Sequence, residues 1–337
     1  MSIRQLVLSA VAATIVLSVA AGNARAARAR ALEATADLLL SLDARPFAIA
    51  HRGFGDNLGA DPTRPIENTV AAVERGFQAG ASVVEVDVQL TRDHRVVAYH
   101  NDFFADGTCL NALTLAEIQA RAPYVPSLED VLAMARRFNE LHPLRGIVIV
   151  ELKAAAPLCD PDDTQDQPMV AAVTAIIRHM RMTQQVLLTS FSPAMISLAQ
   201  RQAPDIDRIL AISGLQFLTK DQIEAATGLP VTLIDKKRSL GLQWAELGQA
   251  ERLPGYRSFD ELFRTAALID ARVVEADLLL LHSAGRPLVE ALQASGLKVL
   301  GFTANSVQDW KFLDSLGVDG IYTNDVPMGV KRQAPIP

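Results

Sequence analysis

The sequence predicts an α/β fold in which short strands alternate with helices, and two observations predict it. Nine short apolar runs rich in β-branched residues punctuate the chain, at 47–51, 83–90, 96–100, 147–152, 186–191, 208–212, 273–281, 298–303 and 320–323. Helical signals fill most of the gaps between them. Alternation of this kind builds parallel βαβ units. A closed (β/α)8 barrel of the TIM type, one domain with loop insertions, uses eight strands. One of the nine runs is then spurious or lies outside the barrel. A doubly wound open sheet is the alternative. No Gly-x-Gly-x-x-Gly follows the first run, which weakens a dinucleotide-binding version of that sheet.

The elements follow in chain order. Arg4, the apolar stretch 6–21 and the small-x-small site Ala24-Arg25-Ala26 read as a secretory signal peptide over 1–26. A lead-in over 27–46 precedes the first strand, and the barrel domain runs over 47–327. Apolar residues at helical spacing predict a helix over 68–77. Ser127 with Asp130 three residues on is a capping-box variant that starts another helix. The stretches 169–180 and 192–202 read the same way, the second opening Ser192-Pro193, an N-cap followed by proline at the first helical position. The segment 213–260 has little strand pattern and reads as an insertion. "VPMGVKRQAPIP" at the end, with a tail assigned from 328 to 337, reads as unstructured.

Charge and cysteine content narrow the function classes. The net charge is −6. Removing 1–26 takes away two arginines and no acid, which leaves about −8. A chain this acidic is a poor partner for nucleic acid or an anionic membrane surface. No later segment is long and apolar enough to span a bilayer. The expected location is therefore exported, periplasmic or secreted. There, the two cysteines, Cys109 and Cys159, are expected to pair. Both fall in loops leaving neighbouring strands at one mouth, so their Cα atoms should lie about 4.4–6.8 Å apart.

Chemistry concentrates at strand ends. In "SVVEVDVQL" (82–90), strand alternation puts Val84, Val86, Val88 and Leu90 on one face and Glu85, Asp87 and Gln89 on the other. Strands in a βαβ setting are covered on both faces and read nearly all apolar. Two carboxylates aimed into such an interior are costly unless they bind a cation or are paired. "IVIVELK" (147–153) breaks in the same way at Glu151 and Lys153. "FAIAH" ends at His51, with Arg52 next, and "RVVAYH" ends at His100. Four strands that are apolar first and ionisable last bring these groups to one mouth of a parallel barrel. Glu85, Asp87 and Glu151 supply hard oxygen ligands and no thiolate, which suits Ca2+ or Mg2+. Arg52 and Lys153 offset the negative charge and hold an anion. Two histidines supply acid and base. Together these groups suit phosphoryl chemistry.

At this point the motifs resemble those of the glycerophosphodiester phosphodiesterases: "AHRG" (50–53), "ENT" (67–69), "VEVDVQLTRD" (84–93), "VVAYHND" (96–102), "ELK" (151–153), "TSF" (189–191), "GFTAN" (301–305) and "GVDGIYTNDVP" (317–327). They occur in the family's order over about 48–327. The resemblance implies a TIM-type barrel and hydrolysis of a small glycerophosphodiester to glycerol 3-phosphate and an alcohol. It implies His51 and His100 as acid and base, and Glu85, Asp87 and Glu151 as ligands of a divalent cation. It also implies Arg52 and Lys153 as phosphate contacts and Glu67 and Phe302 as further substrate-side residues. The chain departs from the family pattern in four places. Ile66 separates Pro65 from Glu67, Phe302 stands where the family has Trp, Asn101 follows His100 where Asp is common, and the 54–65 loop is long. Two other readings share the motifs: a phospholipase D-like or sphingomyelinase D-like activity on the same barrel, and a non-catalytic binder of phosphate esters. The second has no use for a histidine pair.

Overall fold

A computed structural model describes residues 46–142, 146–156, 159–217, 256 and 258–333. The expected signal peptide, nearly all of the lead-in and most of the 213–260 insertion lie outside the described residues. Nine strands form: β1 (Phe47–Ala50), β2 (Val83–Leu90), β3 (Val96–Ala98), β4 (Ile147–Leu152), β5 (Val186–Ser190), β6 (Asp207–Ile212), β7 (Val273–Asp277), β8 (Lys298–Ala304) and β9 (Gly320–Thr323). Eight of them run parallel in the order β1-β9-β8-β7-β6-β5-β4-β2, and β1 pairs with β2 to close the barrel. The expected (β/α)8 barrel is the architecture found, and the open sheet is excluded.

β3 is the strand outside the barrel. It pairs antiparallel with the end of β2, Val88 opposite Ala98 and Leu90 opposite Val96. This corrects the expectation that "RVVAYH" is a fourth barrel strand pointing its end at the mouth. β2 instead overshoots the mouth and the chain folds back along it.

Helices pack on the outside: α1 (Val70–Gln78), α2 (Leu115–Arg121), α3 (Leu128–Leu141), α4 (Asp166–His179), α5 (Pro193–Gln202), α6 (Phe259–Leu268), α7 (Leu278–Ala294), α8 (Val307–Leu316) and α9 (Val326–Arg332). Side-chain caps set several starts. Ser127 and Asp130 form the capping box of α3, and Ser192 caps α5 ahead of Pro193. α1 begins two residues later than expected because Thr69 is its N-cap, accepting from the Ala72 N–H. The run 273–281 is strand only to Asp277, whose carboxylate accepts from the Leu280 N–H and turns the rest into α7. The C-terminal stretch is also corrected. Asp325 caps a helix over Val326–Arg332, and Val326 and Gly329 bury against the barrel, so the order extends past the expected boundary at 327.

The pairing registers sort the inward-facing residues into layers drawn from alternate strands, as closed eight-stranded barrels require. Ile49, Ile149, Ile209 and Leu300, from β1, β4, β6 and β8, form one layer. All four are buried, and each contributes about 1.5–3 kcal/mol by leaving water. The layer above comes from β2, β5, β7 and β9 and reads Glu85, Thr189, Glu275 and Tyr322. Above that lie His51, Glu151, Ala211 and Phe302. The interior thus changes from aliphatic to polar within one layer, and the site stands on that boundary.

Candidate active site

His51 and Arg52 follow the last residue of β1. Arg52 holds a left-handed backbone (φ 50°), which a side-chain-bearing residue keeps only when its surroundings over-determine it. Here they do. The Arg52 N–H donates to Glu85 Oε2 (2.9 Å), the Gly53 N–H donates to the Glu85 carbonyl (2.9 Å), and the Arg52 carbonyl accepts the Asn68 N–H (2.9 Å). α1 presses on this turn: a Cβ on Gly76 would meet the Gly53 carbonyl at 2.1 Å, so glycine is required there.

The guanidinium so placed donates to both Glu67 oxygens (3.1 and 3.3 Å) and lies 3.5 Å from Asp87 Oδ2. Lys153, two residues beyond Glu151 on β4, puts its ammonium 3.1 Å from Glu151 and 3.7 Å from Asp87. Asn68 fixes Asp87 from two sides, donating to its carboxylate and accepting its N–H, each at 2.9 Å. One oxygen from each of Glu85, Asp87 and Glu151 lies within 4.8 Å of the others. Glu85 Oε1 is buried with no hydrogen-bond partner in the structure. Three converging hard-oxygen donors of this kind could hold a metal ion.

The electrostatics agree. Burial, then the nearby Asp87 and Glu151, pushes the Glu85 carboxyl well up. Burial also raises Glu151, against the pull of Lys153. Asp87 is held down despite its burial, because His100, Lys153, Arg52 and the Asn68 amide favour its charged form. Lys153 keeps its charge although burial opposes it, since Glu151 and Asp87 lie beside it. Glu85 is therefore the member of the trio that its surroundings, burial first and the neighbouring carboxylates second, most disfavour as an anion.

His100 reaches the site by the hairpin. β3 runs back along β2, so the Tyr99 N–H donates to the Asp87 carbonyl (3.0 Å) and His100 lands at the level of the carboxylates. Gln89, on the polar face of β2, donates to the carbonyls of Tyr99, His100 and Asn101 at 3.0, 3.2 and 2.8 Å, holding the segment in place. Burial, reinforced by Arg52 and Lys153, keeps His100 well below the usual imidazole range. His51 is lowered to about 4 by burial and then by Arg52. Its Nε2 lies 3.9 Å from Glu85.

The structure brings together His51, Arg52, Glu67, Glu85, Asp87, His100, Glu151 and Lys153. Phe302 lies in the His51 layer, edge-on to Phe191 and Tyr322 with ring centroids 5.8 and 6.1 Å away. Cys109 and Cys159 form a disulfide with Cα atoms 5.6 Å apart, inside the expected span. Only one of their loops leaves a barrel strand directly, because β3 lies outside the barrel. One follows the β2–β3 hairpin and the other follows β4, and the two meet around Asp102, whose side chain accepts the Ala156 N–H (3.2 Å).

Sequence reasoning missed three groups: Asn324 against His51, Asn68 against Asp87, and Glu275 with Tyr322 and Thr189. The first two sit inside motifs already singled out. Glu275 was visible as an ionisable residue breaking the run "VVEAD".

A family model described as the glycerophosphoryl diester phosphodiesterase family matches residues 51–328. The chain belongs to that family. A glycerophosphodiester phosphodiesterase of Bacillus altitudinis is 24% identical over 298 residues, covering 84% of this chain and 96% of the relative. An uncharacterized protein, YqiK, of Bacillus subtilis is 29% identical over half of this chain and 67% of its own length. Among solved structures, a putative glycerophosphoryl diester phosphodiesterase from Silicibacter pomeroyi matches with a TM-score of 0.63 at 23% identity, over 85% of this chain and 92% of that one. An Oleispira antarctica phosphodiesterase, solved with the product sn-glycerol-3-phosphate, matches with a TM-score of 0.57 at 18% identity, over 85% and 95%. These likenesses carry the barrel fold. Family membership makes the chain a glycerophosphodiester phosphodiesterase, a hydrolase of phosphoric diesters.

Proposed function

We propose that this glycerophosphodiester phosphodiesterase hydrolyses small glycerophosphodiesters to glycerol 3-phosphate and an alcohol. In this reading His51 and His100 act as the acid/base pair, and Glu85, Asp87 and Glu151 hold one Ca2+ or Mg2+. The observation that carries it is the convergence of two imidazoles, two buried cations and three carboxylates on one polar rim of the barrel. The product bound to the Oleispira antarctica relative is of the same chemistry. The cation would neutralise phosphate charge as it builds towards the transition state.

The chain's own residues do the rest. Arg52 and Lys153 attract the phosphodiester anion. Glu67 holds the Arg52 fork while Asp87 lies beside it. One imidazole takes the proton of the attacking hydroxyl as the new P–O bond forms; where the substrate's own glycerol hydroxyl attacks, a cyclic phosphate results, and water then opens it through the same pair with the roles reversed. The other gives its proton to the leaving alkoxide as the old P–O bond breaks. Both imidazoles are held neutral in the free site by burial and by Arg52. The incoming anion offsets Arg52 and Lys153 and so favours protonation of one of them. Phe302 and Phe191 wall one side of the substrate.

We assign 47–327, together with the helix Val326–Arg332 that packs on it, to one catalytic domain, with export by a leader over 1–26. The disulfide is consistent with an oxidising compartment, and among the described residues no helix is long and apolar enough to cross a membrane. The test is release of choline, ethanolamine or glycerol 3-phosphate from glycerophosphodiesters, with and without chelator. Glycerol 3-phosphate release that chelation abolishes and Ca2+ or Mg2+ restores is the expected result. Turnover that survives exhaustive chelation, or binding of the esters without cleavage, overturns it.

A further inference from the structure

We infer that Asn324 is a positioning residue that sets the tautomer of His51 and couples it to the long 54–65 loop. The inference rests on the acid/base role proposed for His51.

The carboxamide of Asn324 has its orientation fixed by its neighbours. Its Nδ2 donates to Asn305 Oδ1 (2.6 Å), and its Oδ1 accepts the backbone N–H of Asp56 (2.9 Å). The same Oδ1 faces His51 Nδ1 at 2.7 Å. A backbone N–H only donates, so the atom it meets is an acceptor. The nitrogen of His51 that meets that acceptor must carry the proton. Nδ1 is therefore N–H in neutral His51, and Nε2 is left as the basic nitrogen, on the side of Glu85. His100 is arranged in the same way: its Nδ1 meets Asn101 Oδ1 at 2.9 Å. Each imidazole thus has its Nδ1 against a neutral amide, where a carboxylate would add charge to a rim that already holds Glu85, Asp87 and Glu151.

Asn324 is also stitched to the loop. Its carbonyl accepts Arg64 Nη2 (2.9 Å), and the same nitrogen donates to the Phe54 carbonyl (2.6 Å). Gly55 (φ 91°) packs so close that a Cβ there would meet the Asn324 carbonyl at 2.1 Å. Further along the loop, Asn57 donates its N–H to Glu67 Oε2 (2.9 Å), and Glu67 holds Arg52. The loop therefore joins the residue that orients His51 to the residue that orients Arg52, through the adjacent N–H groups of Asp56 and Asn57.

The experiment compares Asn324→Leu and Asn324→Asp with the full wild-type chain. Asp keeps the acceptor for His51 and the Asp56 N–H, loses the bond to Asn305 and adds a negative charge beside the imidazole, whereas Leu removes the acceptor. The expected result is a kcat about tenfold lower or worse for N324L with KM and metal content nearly unchanged, and substantial recovery in N324D. Nitrogen NMR of His-labelled protein reads the tautomer without any turnover. Neutral His51 should carry its proton on Nδ1 in wild type and N324D, and lose that preference in N324L. Wild-type His51 protonated on Nε2, or N324L with wild-type kcat, overturns the inference. A drop in N324D as large as in N324L overturns it too. His51→Ala with full turnover would sink the underlying acid/base assignment instead, a result distinguishable from all of these.

Discussion

Glu275→Gln tests whether the polar layer of the barrel is under electrostatic load. Glu275 is buried, and its carboxylate accepts hydroxyl hydrogen bonds from Thr189 (2.8 Å) and Tyr322. Burial first, then Glu151 and Asp87, pushes its carboxyl up to about 7, against the help of both hydroxyls. In the unfolded chain the same group titrates near the ordinary glutamate value of about 4.3. Between those pH values the folded protein holds a proton that the unfolded chain has lost. Stability due to this group is therefore full below about 4.3, falls as pH rises towards 7, and stays low above it. The gap between about 4.3 and about 7 corresponds to about 3.7 kcal/mol. Gln cannot ionise and keeps one acceptor, so it removes that loss at the cost of about 1 kcal/mol for one altered hydrogen bond. In chelator, E275Q should be about 2.7 kcal/mol more stable than wild type at pH 8, and the advantage should vanish or reverse by pH 5. Guanidinium unfolding of both proteins at pH 5, 6.5 and 8 measures the difference. Glu85 and Glu151 titrate in both proteins and largely cancel. A gap that does not change with pH, or an E275Q protein less stable than wild type at pH 8, would refute the reasoning.

His51→Ala and His100→Ala should each lower kcat by about 10²- to 10⁴-fold with metal content intact, which elemental analysis of the variants checks. Two ligand substitutions should part company in metal-free protein. Asp87→Asn removes the carboxylate beside both Arg52 and Lys153 and should destabilise by about 3 kcal/mol or more. Glu85→Gln relieves a repelled carboxylate and should hold or raise the thermal midpoint, while both variants lose metal affinity by titration calorimetry. Equal effects on stability would disprove the charge distribution described for the trio. Reducing Cys109–Cys159 reopens a chain separation of 50 residues, for which loop entropy gives about 4 kcal/mol. The thermal midpoint and the activity should both fall, and unchanged activity in the reduced protein would show that the loops around Asp102 hold without it.

Most of the architecture was legible because a parallel barrel writes itself as alternating apolar strands and capped helices. Ser127 with Asp130 and Ser192 with Pro193 start helices where local chemistry alone places them. What misled was direction. An apolar run ending in His100 looks the same whether its strand is parallel or folded back, because side-chain alternation does not encode which neighbour it pairs with. The run 273–281 misled for a related reason: Val273 to Asp277 and Leu278 to Leu281 are equally apolar, and only the Asp277 cap separates strand from helix. At the site, the charged residues could be read individually because each broke an apolar pattern. Asn68 and Asn324 could not be given partners, since a neutral amide breaks no pattern and its use depends on contacts 19 and 273 residues away for Asn68–Asp87 and Asn324–His51.

The barrel divides its labour unevenly along the chain. β1 to β4, with the hairpin between, carry His51, Arg52, Glu67, Glu85, Asp87, His100, Glu151 and Lys153, together with the segments that bear both cysteines. β5 to β9 add Thr189, Glu275, Phe302, Tyr322 and Asn324, which orient and enclose. The first half is thus a reagent kit without a vessel. If Asn324 sets the tautomer of His51 as inferred above, that setting depends on the β1–β9 pairing, which puts Ala50 opposite Thr323 and carries Asn324 alongside. That seam joins the barrel's last strand in sequence to its first, so the His51–Asn324 contact exists only in the closed barrel.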